Sequence, residues 1–471
     1  MTADHDLIVL GAGPAGASAA IDADALGLKT LLIDEQDAAG GQVWQAPTPA
    51  GRPGSASEGE TLRRRLAASG VRTAFSQRVW HIEPGFVVST AGPAGTASSR
   101  AQALILATGA IERHVPVPGW TLPGVIGLAA ATNFLKAQGV LPGRRVVVAG
   151  VGPLLFQVAA QVLEAGGAVA AVIDLNSRTE WLAQARSLAT RPELLWKGFS
   201  WLARIRTAGV PVLSRHALRR IDGSEGVESV VAGTVDADWA PLPHQERSFQ
   251  CDAVCLGFGL TPLTDASRLL GARHVYDPSL GGWTVESDAD QKTSVVRLYA
   301  CGDGAGILGA AAAPLRGRIA ALAAARDLSR LTQADFAERV RPLRRDLART
   351  ARFGLAMAGL TMPRSGLLQA ITSETVVCRC EAVTRAALDR AIADGAVTIN
   401  DLKAATRCGM GPCGGRSCED AAAALIAART GHSRERIGTG TARPPLRPLP
   451  LDSLLGDFDY EQLPIPAPAP L

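Results

Sequence analysis

The sequence predicts an α/β protein in which one strand–turn–helix–strand unit is built twice and followed by a small helical domain. Three observations predict it. An apolar strand, a glycine-rich turn and a helix open the chain, and the same order returns near residue 145. Five of the eight cysteines then crowd into residues 378–418, beyond both units. A chain of 471 residues should hold two to four domains. A hydrophobic content of 47% is ample for their cores.

Residues 7–10 are a short apolar run that reads as a buried parallel strand. Gly11-Ala-Gly13-Pro14-Ala15-Gly16 follows, then a helix-forming run over 17–26. That order is the context in which G-x-G-x-x-G holds a dinucleotide. Gly11 permits the tight turn, Gly13 lets the backbone approach a pyrophosphate, and Gly16 lets helix and strand pack closely. Pro14 and Ala15 lie where the free N–H groups of a helix start face an anion. A second strand over 29–33 runs into Asp34-Glu35. Glu35, 24 positions after Gly11, is the expected ribose ligand, and Asp34 a solvated strand end.

The chain returns to this site. Residues 104–110, with Thr108-Gly109, resemble the central turn of flavoproteins with two dinucleotide domains. Residues 297–304 read as a strand ending in Gly302-Asp303, which resembles their late FAD motif. That resemblance implies that Asp303 bonds the ribityl chain. Gly40-Gly41-Gln42 resembles the segment bordering the flavin in thioredoxin-reductase-like members, with a plain turn as the alternative. Three motifs in this order imply FAD rather than NAD at the first site.

Residues 60–69 read as a helix, and 71–75, 79–81 and 86–89 as strands of a small meander. Pro116, Pro118 and Pro123 force extended chain and mark a crossover into a second domain. His114 beside them reads as surface rather than as a general base. Residues 144–174 then repeat the opening: a strand, Gly150-Val-Gly152-Pro-Leu-Leu155, a helix, and a strand ending at Asp174, 24 positions after Gly150. Leu155 stands where the third glycine should be. It predicts a helix pushed off its strand and a crowded pyrophosphate site, so the ligand of this second unit stays open. Residues 176–205, rich in Trp and Leu, predict one or two amphipathic helices packed on the core. Cys251 and Cys255 read as core residues, too poorly spaced for a redox pair. Phe336, Val340, Leu343 and Leu347 step along one face of a linker helix. The tail has eight prolines after residue 440 and should be extended. Its Leu446, Leu449, Leu451, Leu454, Leu455, Phe458 and Tyr460 suggest docking on this chain or on a partner subunit.

A net charge of +4, scattered basic residues and 4% aromatics argue against nucleic-acid binding. The longest apolar stretch, 305–324, is broken by Arg316 and Arg318 and cannot span a bilayer. The chain enters a strand by residue 7 without a basic flank or cleavage site. A cytoplasmic protein is expected, at most peripheral to the inner membrane through a complex. Cysteines in such a chain suggest metal or redox work rather than disulfides.

The cysteine segment opens with Cys378-Arg-Cys380 and, after two helices, continues as Cys408-Gly-Met-Gly-Pro-Cys413-Gly-Gly-Arg-Ser417-Cys418. Ser417 is the expected N-cap of a helix over 418–428, with Asp420 at its third position. Four thiolates suit a [2Fe–2S] cluster, and a helix start beside it favours the extra electron. Four cysteines serve zinc equally well, but attachment to a flavoprotein favours iron–sulfur. The segment resembles the bacterioferritin-associated-ferredoxin-like (BFD-like) domain. Counted from Cys380, Cys413 follows after 32 intervening residues and Cys408 after 27. The longer interval matches that domain. The resemblance implies Cys378, Cys380, Cys413 and Cys418 as ligands with Cys408 spare; the competing set takes Cys408 with Cys413.

The order of these parts, with Ala107-Thr-Gly-Ala-Ile-Glu-Arg113 and Pro118-Gly-Trp-Thr-Leu-Pro-Gly124, is similar to the alpha subunits of bacterial multi-subunit amine dehydrogenases. That group includes opine oxidases, proline and hydroxyproline dehydrogenases and hydrogen cyanide synthase. The resemblance covers nearly the whole chain, with Gly414 where the family often has Gln and Cys408 as an extra. The chain then divides into a Rossmann-like FAD domain of glutathione/thioredoxin-reductase type (1–115 and 290–330) and a degenerate NAD(P)-like domain with a helical insert (116–289). A linker helix (331–372), a BFD-like [2Fe–2S] domain (373–432) and a Pro-rich tail (433–471) follow.

The resemblance implies an alpha subunit that passes electrons onward from an FAD-containing, glycine/sarcosine-oxidase-like beta subunit. That partner oxidises a secondary amine or amino acid. Some members also carry FMN at the subunit interface and a small ferredoxin-like subunit. No acid–base pair has a substrate-site context here, so no catalytic residue is assigned. Two other readings stay open: a stand-alone NAD(P)H-dependent flavoprotein reductase with Asp174 on the NAD ribose, and an electron-carrier module with a vestigial flavin site.

Overall fold

The computed structural model describes residues 4–46, 58–243 and 245–454. His5–Leu10 lies at the centre of the first sheet, parallel to Thr30–Ile33 on one side and Gly95–Leu106 on the other. Arg72–Ala74 extends this parallel sheet beyond Thr30–Ile33 rather than joining the meander. Leu298–Ala300 pairs parallel with the end of Gly95–Leu106, bringing the late motif back to the early one. The central strand is buried on both faces, as its unbroken apolar sequence requires. The meander consists of Arg78–Glu83, Val87–Gly92 and the first half of Gly95–Leu106. Helix Pro14–Ala25 begins three residues earlier than expected, because Pro14 fits the first helical position. Helix Ala313–Asp327 packs on it so closely that a Cβ on Gly317 would lie 2.0 Å from the Ala15 carbonyl oxygen.

The second sheet has five parallel strands in the order Val212–Ser214, Ala168–Asp174, Arg145–Gly150, Ala253–Gly257 and Val125–Gly127. The two crossover segments meet as a short antiparallel pair, Ala110–Glu112 with Leu260–Pro262.

The insert forms three helices, Arg178–Ala183, Ala185–Leu188 and Pro192–Thr207. Their apolar face packs on the core only in part: Trp181, Leu188, Leu194, Leu195, Trp201 and Leu202 are half-buried. Among their residues only Ile205 is buried, while Leu182, Trp196 and Phe199 are 71%, 73% and 58% exposed.

The linker is one 29-residue helix, Gln333–Thr361, capped by Thr332. Phe336, Val340 and Leu343 are buried in the first domain's core, with Leu347 partly buried against it. The helix then runs on to the glycine turn of the second domain, where Thr361 packs beside Gly152. The C-terminal domain comprises Val376–Cys378, Val383–Thr384 and the helices Arg385–Ala393, Ile399–Thr406 and Glu419–Thr430. Its core is continuous with that of the second domain, and Trp120 Nε1 donates to the Val376 carbonyl at 2.6 Å. The tail docks on the meander through Leu446, whose N–H donates to the Trp80 carbonyl. Leu451 is 83% exposed. The Leu454 side chain and Leu455, Phe458 and Tyr460 lie outside the described residues. No helix is long and apolar enough to cross a membrane among the described residues.

Candidate functional site

The opening glycines are not equivalent. Gly11 has φ +99°, and a Cβ there would come within 2.3 Å of the Ala107 oxygen. A Cβ on Gly16 would lie 1.8 Å from the Gly11 oxygen. Both therefore close strand, turn and helix upon each other. Gly13 is extended, and the nearest atom to its added Cβ is Gly41 Cα at 3.9 Å. This uncrowded shell at a helix N-terminus is the cradle a pyrophosphate fills. Gly41 folds over it with φ +56°. Gln42 is exposed and accepts a hydrogen bond from Asn133. Pro14 and Ala15 form the first turn of the helix, and Gly302 packs on Ala15 with a would-be Cβ distance of 2.8 Å.

Thr108 Oγ1 donates to the Leu263 carbonyl at 2.7 Å, and Gly304 presses against Thr108 and Gly109. Asp303 uses one oxygen to accept from the N–H groups of Leu308 and Gly309, at 3.0 and 2.9 Å. Its other oxygen takes no hydrogen bond among the described residues. Burial raises the Asp303 pKa above the usual carboxylate value. An open cradle, a helix N-terminus and a carboxylate oxygen to spare fit FAD.

The ribose position needs a correction. Leu10 pairs with Ile33, which sets Asp34 opposite Gly11, whereas Gly150 pairs with Asp174. Asp34, not Glu35, is the counterpart of Asp174. The second unit holds one more residue, absorbed by an irregularity between Val169 and Ala171. Equal intervals of 24 therefore do not mark equal positions. Asp34 accepts from the Ala12 and Gln36 N–H groups at the turn. Burial raises its pKa. Glu35 points outward, exposed, 3.7 Å from Arg78.

The second glycine turn is filled by the chain itself. Cβ atoms added to Gly152 and Gly259 would lie 2.7 and 2.8 Å from Thr361 at the end of the long helix. Asn176, fully buried, donates from Nδ2 to the Leu360 carbonyl at 3.0 Å. Asp174 is 1% exposed, and its two oxygens accept from Asn176 N–H and Trp181 Nε1. Burial pushes its pKa up to about 7. Leu155 does not crowd the turn as expected; it is fully buried in the core beneath the sheet. Thr361 is the residue that occupies the approach.

In the C-terminal domain, the Cys380 and Cys413 thiols contact each other, with Cys380 exposed. Cys378, Cys408 and Cys418 are buried, and their sulfur atoms all lie within 4.8 Å of one another. The adjacent Cys418 sulfur and burial push the Cys378 thiol up. Soft thiols converging on one place fit a [2Fe–2S] cluster. The thiols sort into two sets. Cys380 neighbours Cys413, and Cys378 neighbours both Cys408 and Cys418. Helix Ile399–Thr406 ends two residues before Cys408, Arg407 turns left-handed at φ 65°, and Cys408 swings inward. Ser417 is not the N-cap that was expected; Cys418 takes that position of Glu419–Thr430.

Two arginines that sequence reasoning left without a role hold these parts together. Arg113, 5% exposed, donates from Nε to Asp420 at 2.9 Å and from its other nitrogens to the Phe258 and Gly281 carbonyls. It ties the crossover to the cysteine domain. Arg316, 6% exposed, fastens the turn that carries Asp303. For Arg316 the signal was a single Arg on the buried, otherwise apolar face of helix Ala313–Asp327. His114 is half-buried beside Trp120, and burial with the Arg379 charge lowers its pKa. Cys251 and Cys255 are buried, and burial pushes Cys251 up to about 11.

The family model for pyridine nucleotide-disulphide oxidoreductase matches residues 5–327, and that for the BFD-like [2Fe-2S] binding domain matches residues 376–428. An opine oxidase subunit of Agrobacterium tumefaciens (strain Ach5) is 34% identical over 96% of this chain and 91% of its own length. Hydrogen cyanide synthase subunit HcnB of Pseudomonas aeruginosa is 32% identical over 95% of this chain and 97% of its own. The crystal structure of L-proline dehydrogenase from P. horikoshii superimposes with a TM-score of 0.70 at 19% identity, covering 96% of this chain and 79% of that one. It shares the fold.

Proposed function

The chain belongs to the pyridine nucleotide-disulphide oxidoreductase family, with a BFD-like [2Fe-2S] domain appended, and we propose that it is the electron-transferring alpha subunit of a multi-subunit amino-acid or opine dehydrogenase. In this reading a separate FAD-bearing beta subunit oxidises a secondary amine, and this chain passes the electrons to an acceptor. It works in the cytoplasm, at most peripheral to the inner membrane. Bound FAD accepts electrons in pairs and releases them singly, and a [2Fe–2S] cluster takes one at a time.

The chain's own residues then have separate tasks. Gly13 and the helix start at Pro14–Ala15 receive the pyrophosphate. Asp34 accepts from the ribose hydroxyls and Asp303 from the ribityl chain. Gly41, Gln42, Thr108 and Gly109 border the ring. Cys378, Cys380, Cys413 and Cys418 hold the cluster.

One observation carries the coupling of the two sites. Thr108 bonds Leu263, and two residues on, Asp265 accepts from Arg416 Nε of the cysteine loop at 2.9 Å. The flavin turn and the cluster loop are thus joined through one short segment. Anaerobic reduction of the co-expressed complex with substrate should bleach the flavin and then produce the cluster's electron paramagnetic resonance signal. A cluster that stays oxidised while the flavin is reduced would overturn the relay.

A recess of 530 Å³ beside the cysteine loop supports an FMN at the subunit interface. Lys403 and Arg443 line it, and neither has a carboxylate partner among the described residues. The exposed face of Leu182, Trp196 and Phe199 supports docking of the beta subunit. Trp196→Glu with Phe199→Glu should leave FAD and iron contents unchanged but abolish co-purification of the beta subunit. Retained co-purification on size exclusion would place the interface elsewhere.

NADH and NADPH should leave the flavin oxidised under anaerobic conditions, because Thr361 and Trp181 already occupy the second turn and its carboxylate. Leu155→Gly should not alter this, since Leu155 faces the core. Fast bleaching by either nucleotide would favour a stand-alone reductase.

A further inference from the structure

The cysteine domain gathers five thiols, and they sort unevenly. Cys380 and Cys413 meet at the rim. Cys378, Cys408 and Cys418 form a buried group with every sulfur within 4.8 Å of the other two. A [2Fe–2S] cluster on four cysteines takes two thiolates at each iron. The rim pair fills one iron, and the buried group offers three thiols for two places. We propose that Cys408 is a reserve ligand of the buried iron, able to take the place of Cys418 or Cys378. The proposal rests on the iron–sulfur reading above.

A buried cysteine is ordinarily a small apolar residue. Cys251, Cys255 and Cys301 fit that description: all three are buried, and none belongs to a group of metal-competent side chains among the described residues. Cys408 differs in lying against two sulfurs that the domain needs as ligands. Its backbone is suited to a small shift. Arg407 before it and Gly409 after it are both left-handed, at φ 65° and 85°. The residue thus sits between two turns, outside the helix ladder, and its N–H is held by the Thr406 hydroxyl. A Cβ on Gly409 would meet only Gly415 Cα, at 3.6 Å, so no side chain blocks the loop there.

The exchange is balanced. One iron–sulfur bond to Cys418 breaks and one to Cys408 forms. The departing thiolate takes up a proton as the entering thiol releases one. The iron keeps its oxidation state and the cluster its charge, so no redox partner is needed.

The test uses the full-length chain, purified without oxygen, as wild type, Cys408→Ala, Cys418→Ala, Cys378→Ala and the double variant Cys408→Ala/Cys418→Ala. Iron and sulfide per chain and the resonance spectrum after reduction are the readouts. FAD content and thermal unfolding report whether each variant folds. Cys408→Ala should match wild type. Cys418→Ala and Cys378→Ala should each keep most of their iron with shifted g values, and the double variant should lose nearly all of it. If either single variant misfolds, the other decides. Loss of iron from both folded single variants, down to the level of the double, overturns the reserve role. So does loss of iron from Cys408→Ala, which would make Cys408 an obligate ligand. Zinc without iron or sulfide in wild type defeats the iron–sulfur reading itself, and is told apart because it needs no variant.

Discussion

Gly13→Val is expected to give a folded chain that carries no flavin. The backbone at Gly13 has φ −65° and ψ −177°, an extended conformation open to any residue. The nearest atom to an added Cβ is 3.9 Å away, so the protein itself has room for the side chain. Valine is a poor helix N-cap, and the folded state should lose only about 1 kcal/mol. The ligand has no such room: the new methyl groups occupy the shell in which a pyrophosphate meets the helix N–H groups. Flavin content per chain, read from absorbance of the purified protein, should fall to background while the unfolding temperature changes little. Gly16→Val makes the contrast. Its Cβ would lie 1.8 Å from the Gly11 oxygen, so helix and strand must part and the domain should fail to fold. A flavin content in Gly13→Val equal to wild type would mean that FAD does not use this turn.

Much of this arrangement was legible because local rules and tertiary structure agree. The strand–glycine–helix order fixes its own geometry, since only glycine closes the turns at Gly11 and Gly16. Parallel strands buried on both faces announce themselves as apolar runs. Interval counting was less reliable. Counting 24 positions from Gly11 pointed to Glu35, whereas strand register sets Asp34 opposite Gly11; the equal interval in the repeat includes one added residue at Val169–Ala171, which register, unlike spacing, reveals. The fate of Leu155 was also hidden. Whether a side chain faces a ligand or the core depends on which helix later covers the turn, and Thr361 lies more than 200 residues downstream. The inward swing of Cys408 depends on one left-handed residue, Arg407, for which arginine gives no sequence signal. Amphipathic spacing in the insert identified helices correctly but could not say what faces Trp196.

Arg316→Ala should cause a large loss of stability, with loss of FAD preceding global unfolding. Arg316 Nε donates to Gln291 Oε1 at 2.7 Å, Nη1 to the Gly302 and Gly306 carbonyls at 2.8 and 2.9 Å, and Nη2 to the Ala305 carbonyl at 2.8 Å. Truncation leaves three buried carbonyls and one buried amide oxygen without their donor. Each such group costs about 1–3 kcal/mol. Allowing for partial relaxation, a net loss of about 3–5 kcal/mol is expected, a large part of the margin of an ordinary domain. The turn so released carries Asp303, so the ribityl contact should weaken before the sheet opens. Arg316→Lys should fall between, because an ammonium cannot reproduce the planar fork that reaches three carbonyls at once. Arg318→Ala is the internal control two residues away. It removes a 2.7 Å pair with Asp22 from a side chain 44% exposed, which is worth at most about 1 kcal/mol. Thermal unfolding followed in parallel by flavin fluorescence and circular dichroism separates the two stages. Flavin release well below the helical transition in Arg316→Ala, and coincident transitions in Arg318→Ala, is the expected pattern. Equal behaviour of the two variants would show that the Asp303 turn holds its shape without the buried guanidinium.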